Sequence, residues 1–235
     1  MDSPPWLVHL DSCSSTSTWA LQHLDDLRHG SAVFTRRQSA GRGREGRSWL
    51  APAGTLTASL VLDAPYALQR PLALAAGLAC IHALSDLAPA VADHLAIKWP
   101  NDVLLRDRKL AGILCEGAGQ RMVVGIGLNL ADDLPADLPA TSLHLHAAPP
   151  DDLVLLASLR GYLLEAAGLC TIRGLGPLLP QLRARDALLG RSLTIETRTG
   201  RLDGQGGGID EHGHLLVVVP GGGIASVEAG HLIAW

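Results

Sequence analysis

After Gly190 the character of the chain changes, and that change narrows the folds open to it. Upstream, long stretches with helical spacing alternate with short strand-like runs. Downstream, residues 192–199, 214–219 and 224–234 read as strands, with glycine clusters at 204–208 and 221–223 as their turns. The expected organisation is an α+β unit over 1–187, followed by a small all-β unit over 188–235. No fixed-period repeat is visible. The 235 residues suffice for this, and 47% hydrophobic content supplies a core. With only 3% aromatic residues, that core must be mainly Leu, Ala and Val.

In the first unit, 8–10 reads as a strand and Ser14, Ser15 and Thr16 as caps for a helix to about Arg28, stopped by Gly30. Strands are expected at 31–37 and 55–63, and a helix at 71–87 opened by Pro71. Residues 94–99 and 103–106 form a hairpin around Pro100-Asn101-Asp102, and 109–116 pairs with 121–130. A loop is expected over 131–150. Asp151-Asp152 then starts a helix to about Ala167, with acidic residues at its positive end, and a second helical pattern covers 177–189.

A net charge of −4 argues against a general nucleic-acid binder. Cys13, Cys80, Cys115 and Cys170 are scattered without a CxxC pair, which fits reduced thiols in a cytoplasm. The N-terminus has no basic and no apolar leader region, so it does not read as a signal peptide. The longest strongly apolar stretch, 72–84, is too short to span a bilayer and reads as a buried helix. His144/His146 and His212/His214 have one-face strand spacing, but neither pair has an evident third metal ligand.

Four segments carry chemistry. Residues 41–49, Gly-Arg-Gly-Arg-Glu-Gly-Arg-Ser-Trp, concentrate Arg42, Arg44 and Arg47 on a glycine-rich loop. Guanidinium forks suit phosphate and carboxylate, and the loop is either an anion site, a solvated basic loop or a nucleic-acid contact. Lys98-Trp99-Pro100-Asn101-Asp102 reads as a buried Trp beside a tight turn, or as a turn whose Asp orients a ligand. In 108–116, Lys109 is either an exposed edge lysine or a point charge over a cleft, with Gly112 letting a flat ligand approach. In 123–130, Gly125 and Gly127 bare one face of a strand. Of the 19 Lys and Arg residues only Lys98 and Lys109 are lysines, and both fall inside these segments.

The order and spacing of the four segments closely resemble those of the biotin–protein ligase family, which belongs with the lipoate ligases and is related to class II aminoacyl-tRNA synthetase folds. GRGREGRSW (41–49), KWPNDVLL (98–105), RKLAGILCE (108–116) and GIGLNL (125–130) carry the resemblance, with LPATSL (138–143) and Ser15-Thr16-Ser17, where the family has Ser-Thr-Asn. It covers essentially the whole chain and implies a mixed-sheet catalytic domain with an SH3-like β-barrel behind it. It also implies two half-reactions in one site, in which biotin and ATP with Mg²⁺ give biotinoyl-5′-AMP and a carrier lysine then takes the biotinoyl group.

By that resemblance Ser15, Thr16, Ser17 and Gln38 hydrogen-bond biotin and Trp49 walls its pocket. Gly41, Arg42, Gly43 and Arg44 meet biotin's carboxylate end and the adenylate phosphate. Lys109 bridges carboxylate and α-phosphate, while Gly112, Gly125 and Gly127 leave room for the bicyclic ring. Arg44, Arg47, Asp102, Lys109 and Asn129 lie near ATP and its Mg²⁺, and no protein-only metal site is expected. Glu45 stands where many members have a basic or neutral residue and is expected to offset Arg47. The partner implied is the carboxyl carrier domain of a carboxylase, met by a monomer or weak homodimer. With the first strand at residue 8, the resemblance implies the short form without a DNA-binding domain, and neither DNA nor membrane as a partner. The alternatives are a lipoate–protein ligase and a non-catalytic biotin-binding regulator on the same scaffold.

Overall fold

The structure is a computed structural model that describes residues 4–131, 134–135 and 137–235. The parts of the expected 131–150 loop at Asp132, Asp133 and Ala136, and residues 1–3 of the N-terminus, lie outside the described residues. Strand β1 (Leu7–His9) leads to helix α1 (Thr16–Gln22) and β2 (Ala32–Thr35). A two-stranded ribbon follows, β3 (Gly41–Arg42) and β4 (Ser48–Trp49), then β5 (Thr55–Asp63) and helix α2 (Gln69–Leu87). Strands β6 (Leu95–Lys98), β7 (Asp102–Leu105), β8 (Arg108–Ala118) and β9 (Arg121–Asn129) precede helices α3 (Asp152–Arg173) and α4 (Leu179–Ala184). The remainder is all strand: β10 (Ser192–Thr197), β11 (Gly200–Ile209), β12 (Leu215–Val218), β13 (Ile224–Val227) and β14 (His231–Ala234).

The main sheet has the order β1-β2-β5-β9-β8-β7-β6. Only β1 and β2 run parallel, which makes it mixed. Its long apolar face, with Leu56, Leu60, Val124, Ile126 and Leu128, packs on α2 and α3 in one core. A smaller cluster, Ala20, Leu27, Val33, Val61 and Val123, seats α1 on the other face. By length and composition α2 and α3 are each apolar enough to cross a bilayer, yet α2 is mostly buried inside the molecule. The second sheet is antiparallel, in the order β13-β12-β11-β10-β14, and fits the expected SH3-like unit. Its inward residues Leu193, Ile195, Ile209, Leu215 and Val217 belong to the same core cluster as α2 and α3.

Several boundaries differ from the sequence expectation. α1 stops at Gln22, short of the expected Arg28, and the turns that follow are held by Arg121 of β9, which donates to the carbonyls of Leu24 and Leu27. α3 runs through Gly168 to Arg173, since Leu163, Ala166, Ala167 and Cys170 continue its buried face. That packing outweighs the cost of about 1 kcal/mol for a mid-helix glycine. α4 covers only 179–184 of the expected 177–189. The backbone of 185–187 instead covers the β6 edge, with Ile97 N donating to Arg185 O at 2.7 Å and Ala187 N donating to Ile97 O at 2.9 Å. Residues 224–234 split into β13 and β14, at opposite edges of the second sheet. Residues 204–208, expected as a turn, lie within strand β11. A Cβ at Gly206 would collide with the Leu188 carbonyl, so this glycine serves close backbone approach rather than a turn.

Candidate active site

Strand periodicity gives the main sheet two unlike faces. On β5, Leu56, Ala58, Leu60 and Leu62 enter the core, which turns Thr57 and Ser59 the other way. On β9, Val124, Ile126 and Leu128 enter it, which turns Gly125 and Gly127 the other way. The hydroxyl-bearing, glycine-bared face floors a cleft of about 270 Å³, roofed by the β3–β4 ribbon and lined also by Gly230, His231 and Leu232 at the start of β14.

At one end of the cleft a buried hydroxyl network joins three segments. Ser15 caps α1, its side chain accepting from Thr18 N. Thr16 N donates to Gln38 Oε1 at 2.9 Å, Ser59 Oγ donates to Thr16 Oγ1 at 2.8 Å, and Ser17 Oγ lies 3.0 Å from Ser59 Oγ. The bare position at Gly125 is where Ser17 fits, since a Cβ there would overlap its hydroxyl. Trp49 lies across the other two glycines. A Cβ at Gly127 would overlap the indole, and one at Gly112 would come 2.9 Å from Cζ3. The indole Nε1 is buried without a hydrogen-bond partner among the described residues.

The ribbon sends its three arginines in three directions. Arg42 pairs with Glu116 on β8 at 2.5 Å. Arg44 donates to Asn101 Oδ1 at 3.4 Å, and burial holds its pKa below the usual guanidinium value against the opposing pull of Glu45 and Asp102. Arg47 lies 3.4 Å from His231 Nδ1 on β14. Glu45 stands 4.0 Å from Arg44, so its nearest cation is Arg44 rather than the expected Arg47. Gly43 closes the turn, its N–H donating to Arg47 O at 2.7 Å, and Gly41 packs against Gln38 and Trp49.

Beneath the ribbon, Lys109 Nζ is 2.6 Å from Asp102 Oδ1 and 5.4 Å from the centroid of the Trp49 ring. Its backbone is clamped by the 139–141 segment, with Lys109 N donating to Pro139 O at 3.1 Å and Thr141 N to Lys109 O at 2.9 Å. Lys98 stands opposite Asp102 in the β6–β7 register. Burial lowers its pKa, Asp102 opposes that shift, and Lys109 adds to it. Asn129 does not line the cleft. It is buried behind it, donating to Thr141 O at 3.1 Å. The His144 and His146 rings are engaged by Ser142 and Thr141, and no group of three His, Cys, Asp or Glu residues comes together among the described residues.

The structure thus gathers Ser15, Thr16, Ser17, Gln38, Arg42, Gly43, Arg44, Arg47, Trp49, Asp102, Lys109, Gly112, Gly125 and Gly127 around one cleft. Sequence reasoning gave no site role to several residues on that cleft or paired with its arginines, among them Asn101, Glu116, Lys98, Thr57 and His231. Lys98 stands out in the sequence as one of only two lysines yet receives no role there, whereas His231 reaches the site only through the packing of the second sheet.

A slot rimmed by hydroxyls, roofed by an indole and backed by five cations suits a carboxylate brought to a polyphosphate. Fold and site together define a carboxylate-activating ligase. The chain belongs to the Biotin/lipoate A/B protein ligase family, whose model matches residues 10–131. It is 39% identical to a biotin–[acetyl-CoA-carboxylase] ligase of Paracoccus denitrificans, over 88% of this chain and 92% of that one. A ligase of the same description from Mycobacterium tuberculosis is 36% identical, over 87% and 79%. Among solved structures, the biotin protein ligase of Aquifex aeolicus in complex with biotin and ATP superposes with a TM-score of 0.85 at 26% identity, covering 96% of this chain and 97% of that one.

Proposed function

We propose that the protein activates biotin with ATP and transfers the biotinoyl group to a lysine of a carboxyl carrier domain of a carboxylase. The observation that carries the reading is the Lys109–Asp102 pair lying under Trp49, beside a glycine-bared floor. In the first half-reaction a carboxylate oxygen of biotin attacks the α-phosphorus of ATP. The bond to the bridging oxygen breaks, and pyrophosphate leaves with the electron pair. Reactants of like charge meet here, so neutralising and positioning them is the main catalytic task.

On this reading the network of Ser15, Thr16, Ser17 and Gln38 recognises the ureido end of biotin. Lys109 offsets charge between the carboxylate and the α-phosphate, with Arg42 and Arg44 closing over the adenylate. Mg²⁺ arrives with ATP as part of the substrate complex. In the second half-reaction the carrier amine attacks the mixed anhydride and AMP leaves. We assign Asp102, ion-paired with Lys109 at 2.6 Å, as the carboxylate that takes the amine's proton. We divide the chain into a catalytic unit over 1–187 and a second unit over 188–235. We read it as a cytoplasmic monomer or weak homodimer; its four free cysteines support a reducing setting.

ATP-dependent labelling of a carrier-domain fragment tests the reading. Wild type labels with biotin and not with lipoate, and Lys109→Ala slows labelling by about 100-fold or more, the usual scale for losing a charge that acts on the transition state. Labelling by the variant at the wild-type rate would remove Lys109 from the mechanism.

A further inference from the structure

Not every cation of the cleft has a carboxylate partner. Arg42 has Glu116, Lys109 has Asp102, and Arg44 approaches Glu45. Lys98 makes no ion pair within 4.0 Å among the described residues. Its ammonium instead lies 4.5 Å from the centroid of the Trp235 ring, on which the Arg191 guanidinium also stacks at 5.1 Å. A ring face attracts and positions a cation without cancelling its charge. Burial disfavours this ammonium, Asp102 opposes that shift from a distance, and Lys109 adds to it. A half-buried cation held in place without a contacting carboxylate has a stabilising partner to gain from an anion.

The position of Lys98 selects which anion. Asp102, on the strand between theirs, is paired in register with Lys98 and ion-paired with Lys109. Lys98 therefore lies one charge beyond the group assigned to the α-phosphate. Lys98 shares the cleft lining with Gly230, His231 and Leu232, and Arg47 points to His231. ATP places two further phosphates beyond the α-phosphate, and the charge on them rises as the bond to the α-phosphorus breaks.

We propose that Lys98, steadied by Trp235, binds the β- and γ-phosphates of ATP and the pyrophosphate they become. This inference rests on the reading of the site as an adenylating ligase. Lys98 moves no proton in this role; its fixed charge offsets the negative charge gathering on the leaving group. Trp235 is a positioning residue, which makes the second sheet a participant in the first half-reaction. Lys98 has no part in the second half-reaction, because pyrophosphate has already left.

The test separates the two half-reactions in the full-length protein. Lys98→Met keeps the length of the stem and removes the charge. Biotin-dependent exchange of labelled pyrophosphate into ATP is expected to fall about 10- to 100-fold, the factor for a hydrogen bond to a charged group. Single-turnover transfer from supplied biotinoyl-5′-AMP to a carrier fragment stays within about twofold of wild type, since the variant removes an interaction made only in the other step. Trp235→Leu raises the KM for ATP in exchange, and Trp235→Phe restores it. Undiminished exchange by Lys98→Met, or an equal fall in exchange and transfer, overturns the assignment. Absence of biotin-dependent exchange in wild type overturns the adenylation reading beneath it.

Discussion

Strands β9 and β11 carry the same local pattern, glycine at alternate positions, as Gly125-Ile126-Gly127 and Gly204-Gln205-Gly206. Both patterns bare one face of a strand, but different things lie against the two faces. On β9 the occupants are side chains, the Ser17 hydroxyl and the Trp49 indole. On β11 the occupant at Gly206 is the main chain of Leu188, fixed by Gly190 N donating to Gly206 O at 2.8 Å and Gly206 N donating to Arg191 O at 2.9 Å. A side chain can turn aside for a ligand, whereas a hydrogen-bonded backbone cannot. The same dipeptide spacing therefore marks a site in one strand and a structural joint in the other.

Substitutions on the two strands should separate these roles. The largest effect is expected for Gly127→Val, which fills the space under Trp49. Biotin-dependent pyrophosphate release should fall by at least about 100-fold, some 3 kcal/mol in the barrier. The melting temperature should stay near that of wild type, because the indole can move; a melting temperature that collapses instead would put β9 in the same class as β11. Gly206→Ala should do the reverse. Overpacking against a fixed carbonyl costs about 1–3 kcal/mol of stability, read as a lower denaturant midpoint, with activity per folded molecule retained. The smallest effect is expected for Gly125→Ala, which crowds the Ser17 hydroxyl. Calorimetry should show weaker biotin binding. In a double-mutant cycle Ser17→Ala should relieve part of the loss, with a coupling energy of about 0.5–1 kcal/mol. Strict additivity would mean that the two residues do not compete for that space.

The contrast also explains what could be read in the sequence. Strand β5 was legible to the residue, 55–63, because its apolar pattern is local and uninterrupted. The four chemistry-bearing segments were legible as a set because their spacing is distinctive. What the sequence hides is what lies opposite. The turns after α1 are held by Arg121, 99 positions beyond Gln22, Gly206 meets the main chain of Leu188, and Lys98 lies over Trp235. Asn129 has the same history: its place in a diagnostic segment suggested a ligand, and the structure shows it bracing the 139–142 stretch behind Lys109.

The second sheet shares its apolar cluster with α2 and α3, and the buried indole of Trp99 donates to Gly213 O at 2.9 Å across the junction. That seam bears on how the enzyme could be re-engineered. Grafting the last 48 residues from a relative as a cassette, without refitting Trp99 and the faces of α2 and β6 that meet it, would yield a chimera with a mismatched interior. The smallest transplantable piece of this ligase is therefore larger than its apparent module.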